Sequence, residues 1–96
     1  MTYDELLANA PRHDSPEFLE YLRENNNVRY EDDWWLVIEN YKYFKHDRWW
    51  FTAFAKRTLS LTRWDGLYRM FGNFTWLKKS PKKQTVQRFH IHMYEE

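Results

Sequence analysis

The amino-acid sequence predicts an α+β domain, in which an antiparallel sheet of four to five strands carries two to three short helices on one side. The first observation is a pair of apolar runs, WWLVI at residues 34–38 and WWFTAFA at residues 49–55. The first run is apolar on both faces, which is typical of a central strand covered on both sides, and the second is an equally strong strand candidate. The second observation is amphipathic helical spacing before the first run and after the second. Together they predict the element order α-α-β-β-β-α-β-β.

Length and composition restrict the class of protein. The 96 residues fit one domain, residues 1–96, and aromatic residues make up 21% of them. Each buried aromatic ring removes roughly 150–250 Å² from water, so even a short chain can form a workable core. The absence of cysteine excludes a disulfide framework, thiolate catalysis and cysteine-ligated metals. No apolar run approaches the roughly 20 residues of a membrane span, and no secretory signal is visible, so we expect a cytoplasmic protein with no membrane partner.

Two helices are predicted before the first strand. Thr2 and Glu5 have the spacing of a capping box, and Pro11 limits the short helix that follows them. Ser15 is a suitable N-cap for the second helix, since Pro16 fits the first helical position. The apolar face of this helix is formed by Phe18, Tyr21 and Leu22, and the asparagines at residues 25–27 end it.

Local pattern also predicts the third helix and the remaining strands. Thr62 is expected to cap a helix that Gly72 terminates. Its apolar face would be Trp64, Leu67, Tyr68 and Phe71. A first strand, an acidic turn and a polar connection are expected at residues 28–30, 31–33 and 39–48. A strand is expected at residues 74–77, a basic loop at residues 78–83, and the last strand at residues 85–94.

The net charge of +1 is unevenly distributed along the chain. Residues 1–47 carry eleven acidic and five basic residues, whereas residues 56–88 carry nine basic residues and one acidic residue, Asp65. This local excess of +8 is enough to attract a phosphate-bearing ligand or partner. The alternative is a solvated basic face that only aids solubility.

The last predicted strand contains the residues best suited to chemistry. Side chains alternate across a strand, so Arg88, His90 and His92 project from one face. All three can donate hydrogen bonds to a phosphate, and imidazole can also act as nucleophile or general acid near neutral pH. Two alternatives stay open: a polar strand face turned to solvent, and a divalent metal site completed by His13 or His46. The opposite face would carry Phe89, Ile91 and Met93.

The segment QTVQRFHIHMY, residues 84–94, resembles the terminal strand of the histidine-triad family. That family's motif is Gln-Ser-Val-x-His followed by two further histidines at alternate positions. The preceding blocks also follow the family's order: acidic turn, strand, polar connection, strand with a basic end, amphipathic helix, strand and loop. The resemblance covers residues 28–94, after a helical segment at residues 1–27. Arg88 replaces the first histidine and KSPKK replaces the glycine-rich approach, so the chain resembles a diverged or degenerate member.

This resemblance implies a histidine-triad-like fold and a nucleotide-phosphate site without metal or other cofactor. His90 would attack the α-phosphorus, and water would hydrolyse the nucleotidyl-histidine, as in a nucleotidyl hydrolase or transferase. His92 would orient the phosphate, and Arg88 would neutralise the charge that develops. Because the first histidine is replaced, binding without turnover is the other expected outcome. Phosphate or leaving-group oxygens would be contacted by Gln84 and Thr85, with Lys82 and Lys83 as further nucleotide-binding residues.

Partner classes other than a nucleotide are also compatible with the sequence. A small single-stranded nucleic-acid-binding module would use the basic residues 78–88 and exposed aromatic rings on which bases stack. A structural or inhibitory protein would instead dock a partner on an aromatic patch. We expect Trp34 and Trp64 to lie in the core, while Trp50 and Trp76 are undecided between core and surface. Histidine-triad proteins often form dimers, so a homodimer is the assembly that the resemblance implies.

Overall fold

The computed structural model describes residues 3–39, 50–77 and 88–95, and the element order in them is the predicted one. Residues 1–2, 40–49, 78–87 and 96 lie outside this description, and with them the predictions for Thr2, His46 and the basic loop. A 3₁₀ turn, Leu59–Leu61, precedes the third helix. The helices are α1 (Tyr3–Ala8), α2 (Pro16–Asn25) and α3 (Asp65–Phe71), and the strands are β1 (Val28–Glu31), β2 (Trp35–Glu39), β3 (Trp50–Ala55), β4 (Thr75–Leu77) and β5 (His90–Tyr94).

The five strands form one antiparallel sheet in the order β1-β2-β3-β5-β4, which confirms the α+β class and the predicted sheet type. β5 inserts between β3 and β4, although it comes last in the chain. Phe54 lies opposite His90 and Thr52 lies opposite His92 in the β3–β5 pairing. The histidine-bearing strand therefore has hydrogen-bonded neighbours on both sides.

The helices lie on both faces of the sheet, so the expectation that they share one side is wrong. We call the two sides the α1–α2 face and the α3 face. Their cores are separate clusters: α1 and α2 pack with Leu36, Ile38 and Phe54, whereas α3 packs with Val37, Ala53 and Ile91. The physical reason is that β2 and β3 are buried along both faces, and each apolar face needs its own cover.

The second helix begins and ends close to where the sequence predicts. Ser15 precedes the helix in an extended conformation, and its hydroxyl donates to the Arg12 carbonyl oxygen at 2.6 Å rather than to the helix. At the other end, the side-chain amides of Asn25 and Asn26 donate to the carbonyl oxygens of Tyr21 and Leu22 at 2.8 and 3.0 Å. The two asparagine side chains therefore satisfy carbonyl oxygens of the last turn, and Asn26, the residue after the helix, has an extended backbone.

The third helix starts later than predicted. Thr62 does not cap it, because the Thr62 hydroxyl donates to the Thr58 carbonyl oxygen at 2.8 Å and closes the 3₁₀ turn. The helix begins at Asp65, with Trp64 before it. A Cβ at Gly66 would overlap the Tyr30 hydroxyl, so glycine lets the start of α3 approach the acidic turn.

The tryptophans divide between the core and its margin. Trp35 and Trp50 are buried, whereas Trp34, Trp64 and Trp76 are half-buried and pack against the α3-face core. Trp34 and Trp64, which the sequence predicts to lie in the core, therefore pack at the edge of the core, and Trp35 lies at its centre. None of the helices in residues 3–39, 50–77 and 88–95 has the length and apolarity to cross a bilayer.

Glu31 links three elements beside the acidic turn. It accepts hydrogen bonds from Arg23 of α2, with Arg23 Nε 2.9 Å from Glu31 Oε1, and from Lys56 Nζ at 2.7 Å on Oε2. Hydrogen bonding from Arg23, aided by Lys56 and opposed by burial, lowers the pKa of Glu31 from 4.5 to about 2. The carboxylate therefore stabilises the fold when it is charged.

We expect this contribution to be present above about pH 4.5 and to be lost as the pH falls toward about 2, because the pKa is lower in the folded chain. Since Glu31 is partly solvent-exposed, the contribution should be about 1 kcal/mol. Denaturant unfolding of the wild type and of Glu31→Gln across this range measures it. The difference between them should shrink on acidification.

The matched control is Asp14→Asn, which removes the exposed Arg12–Asp14 ion pair. Its free energy of unfolding should differ little from that of the wild type at any pH. A Glu31→Gln difference that stays constant from neutral to acidic pH would contradict the assigned role of the charge.

Candidate functional site

His90 and His92 lie side by side on the α1–α2 face of β5. Their ring centroids are 5.1 Å apart and the planes meet at 81°. The prediction that they share a strand face is confirmed, and the apolar residues between them do lie on the α3 face. The interpretation of a polar face turned to solvent is wrong, since only 5% of His90 and 2% of His92 is exposed. The structure therefore places two imidazoles together in a buried position.

The hydrogen bond of His90 determines which ring nitrogen holds the proton. Its Nδ1 lies 3.0 Å from the Arg88 carbonyl oxygen. A carbonyl oxygen only accepts, so Nδ1 carries the hydrogen and, in the neutral ring, Nε2 carries the lone pair. Phe54 stacks on the same ring, with centroids 5.7 Å apart and planes 23° from parallel. His90 is thus oriented, with Nε2 as its basic atom.

His92 is held by a residue that the sequence analysis did not single out. Thr52 on β3 is fully buried, and its Oγ1 lies 2.9 Å from His92 Nδ1. A hydroxyl donates or accepts, so this contact is compatible with either tautomer of His92. The one available signal was a threonine inside the apolar run WWFTAFA, where a buried hydroxyl needs a partner.

Arg88 lies on the expected side of the sheet, and its side chain bonds to the backbone of other segments. It precedes β5 rather than belonging to it, and its guanidinium donates to three backbone carbonyl oxygens. The distances are 2.8 Å from Nε to His13, 3.0 Å from Nη1 to Ala55 and 2.9 Å from Nη2 to Ser15. Burial lowers the pKa of Arg88, opposed by Asp14. The side chain therefore joins the N-terminal segment to the sheet, and three of its five donors are occupied.

The same contacts give Arg88 a link to His90. The guanidinium anchors the residue whose own carbonyl oxygen accepts the proton of His90 Nδ1. Its carbon also lies 6.0 Å from the ring centroid of Phe18, a fully buried residue of α2. Arg88 therefore holds the backbone that orients His90, and the phosphate contact expected from the sequence stays a prediction.

The other predicted site residues divide into two groups. His13 packs its ring 4.9 Å from that of Phe18. In the described part of the chain, no three His, Cys, Asp or Glu residues are grouped as a metal would need. The remaining predicted site residues lie outside the described residues: His46, Lys82, Lys83, Gln84 and Thr85.

Comparisons with known proteins add no relative. No family model matches the chain, and neither a curated protein nor a solved structure matches it. What the site does is therefore inferred from its chemistry.

Proposed function

We propose that this chain binds a nucleoside phosphate at the His90–His92 pair and uses His90 Nε2 as a nucleophile on the α-phosphorus. The observation that carries the proposal is the hydrogen bond from His90 Nδ1 to the Arg88 carbonyl oxygen. It places the ring proton on Nδ1 and directs the lone pair to Nε2, which is the state a histidine nucleophile needs. The adjacent His92 supplies a second polar ring within 5.1 Å.

The first step forms a bond between His90 Nε2 and phosphorus and breaks the bond from phosphorus to the leaving group. The leaving group takes the bonding electron pair, and the imidazole becomes a cation. Because Nδ1–H points at a carbonyl oxygen, that oxygen stabilises the positive charge as it develops. Water then attacks phosphorus, and the bond to Nε2 breaks with its electron pair returning to nitrogen. One proton of the water passes to the departed leaving group, and the nucleoside monophosphate leaves with neutral His90 restored.

The neighbours of His90 have positioning roles in this scheme. Thr52 fixes the orientation of His92. In the proposed complex His92 Nε2 donates to a phosphate oxygen, and Nδ1 then accepts the hydrogen bond from Thr52. Arg88 holds the carbonyl oxygen that orients His90. Thr52 lies on the neighbouring strand β3, and Arg88 directly precedes β5, so the geometry is set before a ligand binds, which lowers the barrier to reaction.

The resemblance to the histidine-triad family supports the same proposal. We infer a histidine-triad-like core at residues 28–94, because the described elements follow the order of the family's blocks. Arg88 at the position of the first histidine makes this a diverged site with two histidines. A metal-independent nucleotidyl hydrolase or transferase is the activity that these residues favour.

The test is intact-mass analysis after brief incubation with adenosine and guanosine phosphoramidates and dinucleoside polyphosphates, quenched at alkaline pH. We expect a nucleotidyl adduct in the wild type that is absent in His90→Asn, with turnover reduced more than about 10³-fold. His13→Asn is the matched control, because it removes an imidazole outside the pair and should keep the adduct. Circular dichroism checks that each variant is folded.

Other outcomes would revise the proposal in different ways. Nucleotide binding by calorimetry without adduct or product would leave a binding site and remove the covalent step. If the histidines serve only as buried hydrogen-bonding residues, the wild type will neither bind nucleotide nor form an adduct, and His90→Asn will change stability alone.

A further inference from the structure

A second candidate binding surface lies on the α3 face of the sheet, away from the histidines. It consists of Trp64, Tyr68 and Trp76, which we call the aromatic patch. The rings of Tyr68 and Trp76 stack with centroids 4.9 Å apart and planes 17° from parallel. Trp64 lies 6.4 Å from Trp76 at 22° and 6.1 Å from Tyr68 at 34°. The rings of Trp64 and Tyr68 thus each lie nearly parallel to the Trp76 ring, and they are tilted relative to each other.

The two tryptophans of the patch contact the protein interior, whereas the tyrosine is exposed to solvent. The Trp76 indole N–H donates to the Phe71 carbonyl oxygen at 2.9 Å, and Trp64 packs edge-on against buried Trp35 with centroids 4.8 Å apart. Tyr68, by contrast, is 57% exposed, although its ring stacks on Trp76. An exposed aromatic ring with a fixed orientation is therefore presented to solvent.

The chain segment that carries the patch has an excess of basic residues, although two of them are paired with the acidic turn at residues 31–33: Lys56 with Glu31, and Arg57 with the Asp33 carbonyl oxygen. Residues 56–77 carry four Lys or Arg residues and one acidic residue, Asp65. Arg57, Arg63 and Arg69 are exposed, and the Arg63 guanidinium lies 5.6 Å from the ring centroid of Trp34. A ligand with flat rings and repeated negative charge complements both features, and single-stranded nucleic acid has both.

We propose that the aromatic patch binds a single-stranded nucleic acid, with a base stacked on Tyr68 and backbone phosphates near Arg63 and Arg69. Base–aromatic stacking tolerates any base sequence, so the surface would show little sequence preference. The patch and the histidine pair lie on opposite faces of the sheet, since Trp76 is opposite Met93 in the β4–β5 pairing and Met93 belongs to the α3-face core. This site is therefore separate from the proposed nucleotide site.

Fluorescence anisotropy of labelled oligouridylate and oligothymidylate of about ten nucleotides tests the proposal. The wild type should bind at low salt and lose affinity steeply as salt rises. Tyr68→Ala should weaken binding about 5- to 100-fold, while Tyr68→Phe should keep it. Arg63→Gln should make the slope of log affinity against log salt concentration shallower by the amount expected for about one lost phosphate contact. The two oligonucleotides show whether RNA or DNA is preferred.

Met70→Ala is the matched control, because Met70 is 50% exposed on the same helix but carries no ring. It should leave oligonucleotide affinity unchanged. No binding at low salt would overturn the proposal. So would binding that is unaffected by Tyr68→Ala but lost in Lys82→Glu, which would assign nucleic acid to the basic segment. Self-association abolished by Tyr68→Ala, without oligonucleotide binding, would make the patch a protein contact instead.

Discussion

Replacing Arg88 with methionine should lower the free energy of unfolding by about 3 kcal/mol. The guanidinium donates to the carbonyl oxygens of His13, Ser15 and Ala55, and a hydrogen bond from a charged group contributes roughly 1.5–3 kcal/mol. The sum is smaller than three such bonds, because water can reach some of the freed carbonyls at this half-buried site. Methionine keeps an apolar stem against Phe18, so the loss measures the donors rather than the packing.

Urea denaturation followed by tryptophan fluorescence measures this loss, with Arg12→Met as the control. Within the described residues the Arg12 side chain forms an exposed ion pair with Asp14, so its replacement should change stability by less than about 0.5 kcal/mol. Arg88→Lys should recover little of the lost stability, because a lysine ammonium group cannot reach three carbonyl oxygens that surround the planar guanidinium. If Arg88 instead contacts phosphate, Arg88→Met will keep its stability and lose nucleotide affinity.

Truncating Trp35 to alanine should destabilise the chain by about 4 kcal/mol. The side chain is fully buried, packs edge-on against Trp64 and Phe89, and donates its indole N–H to the Arg63 carbonyl oxygen at 2.9 Å. Removing it leaves a cavity at the centre of the α3-face core and an unpaired carbonyl. A chain of this size has roughly 5–14 kcal/mol of stability in total, so the loss is a large share.

The neighbouring tryptophan is the matched control for this truncation. Trp34 is half-buried, and Trp34→Ala should cost only about 1 kcal/mol. Because Trp35→Ala leaves little stability, Trp35→Phe, expected to lose about 2 kcal/mol, keeps the comparison measurable. Equal losses at positions 34 and 35 would contradict the assignment of Trp35 as the central core residue.

Most of the predicted elements follow from short stretches of sequence. Ser15 and Pro16 mark the start of α2, and apolar runs mark β2 and β3. Alternation along β5 places His90 and His92 on one face without any knowledge of the fold. These signals are local, since helical and strand periodicity depend on residues within about two turns or a few positions.

Contacts between distant residues were not predictable in the same way. Thr52 meets His92 across 40 positions, and Arg88 meets Ser15 across 73. The Thr62 hydroxyl fits a helix cap and a 3₁₀ turn equally well, and its surroundings select the turn. Similarly, adjacent Trp34 and Trp35 read alike in the sequence, but the strand pairing of Trp35 with Ala55 buries only one of them.

The sequence by itself determined the α+β class, the order of the elements and the pairing of two histidines on one strand face, because each depends on local periodicity and composition. Only the tertiary structure decided that helices cover both sheet faces, that the imidazoles are buried, and that Arg88 bonds to backbone carbonyls. The physical reason is that burial and hydrogen-bond partners depend on which distant segments meet. Tyr68 illustrates the difference: helical spacing predicts a residue of the apolar helix face, and the packing of α3 leaves its ring exposed and stacked on Trp76.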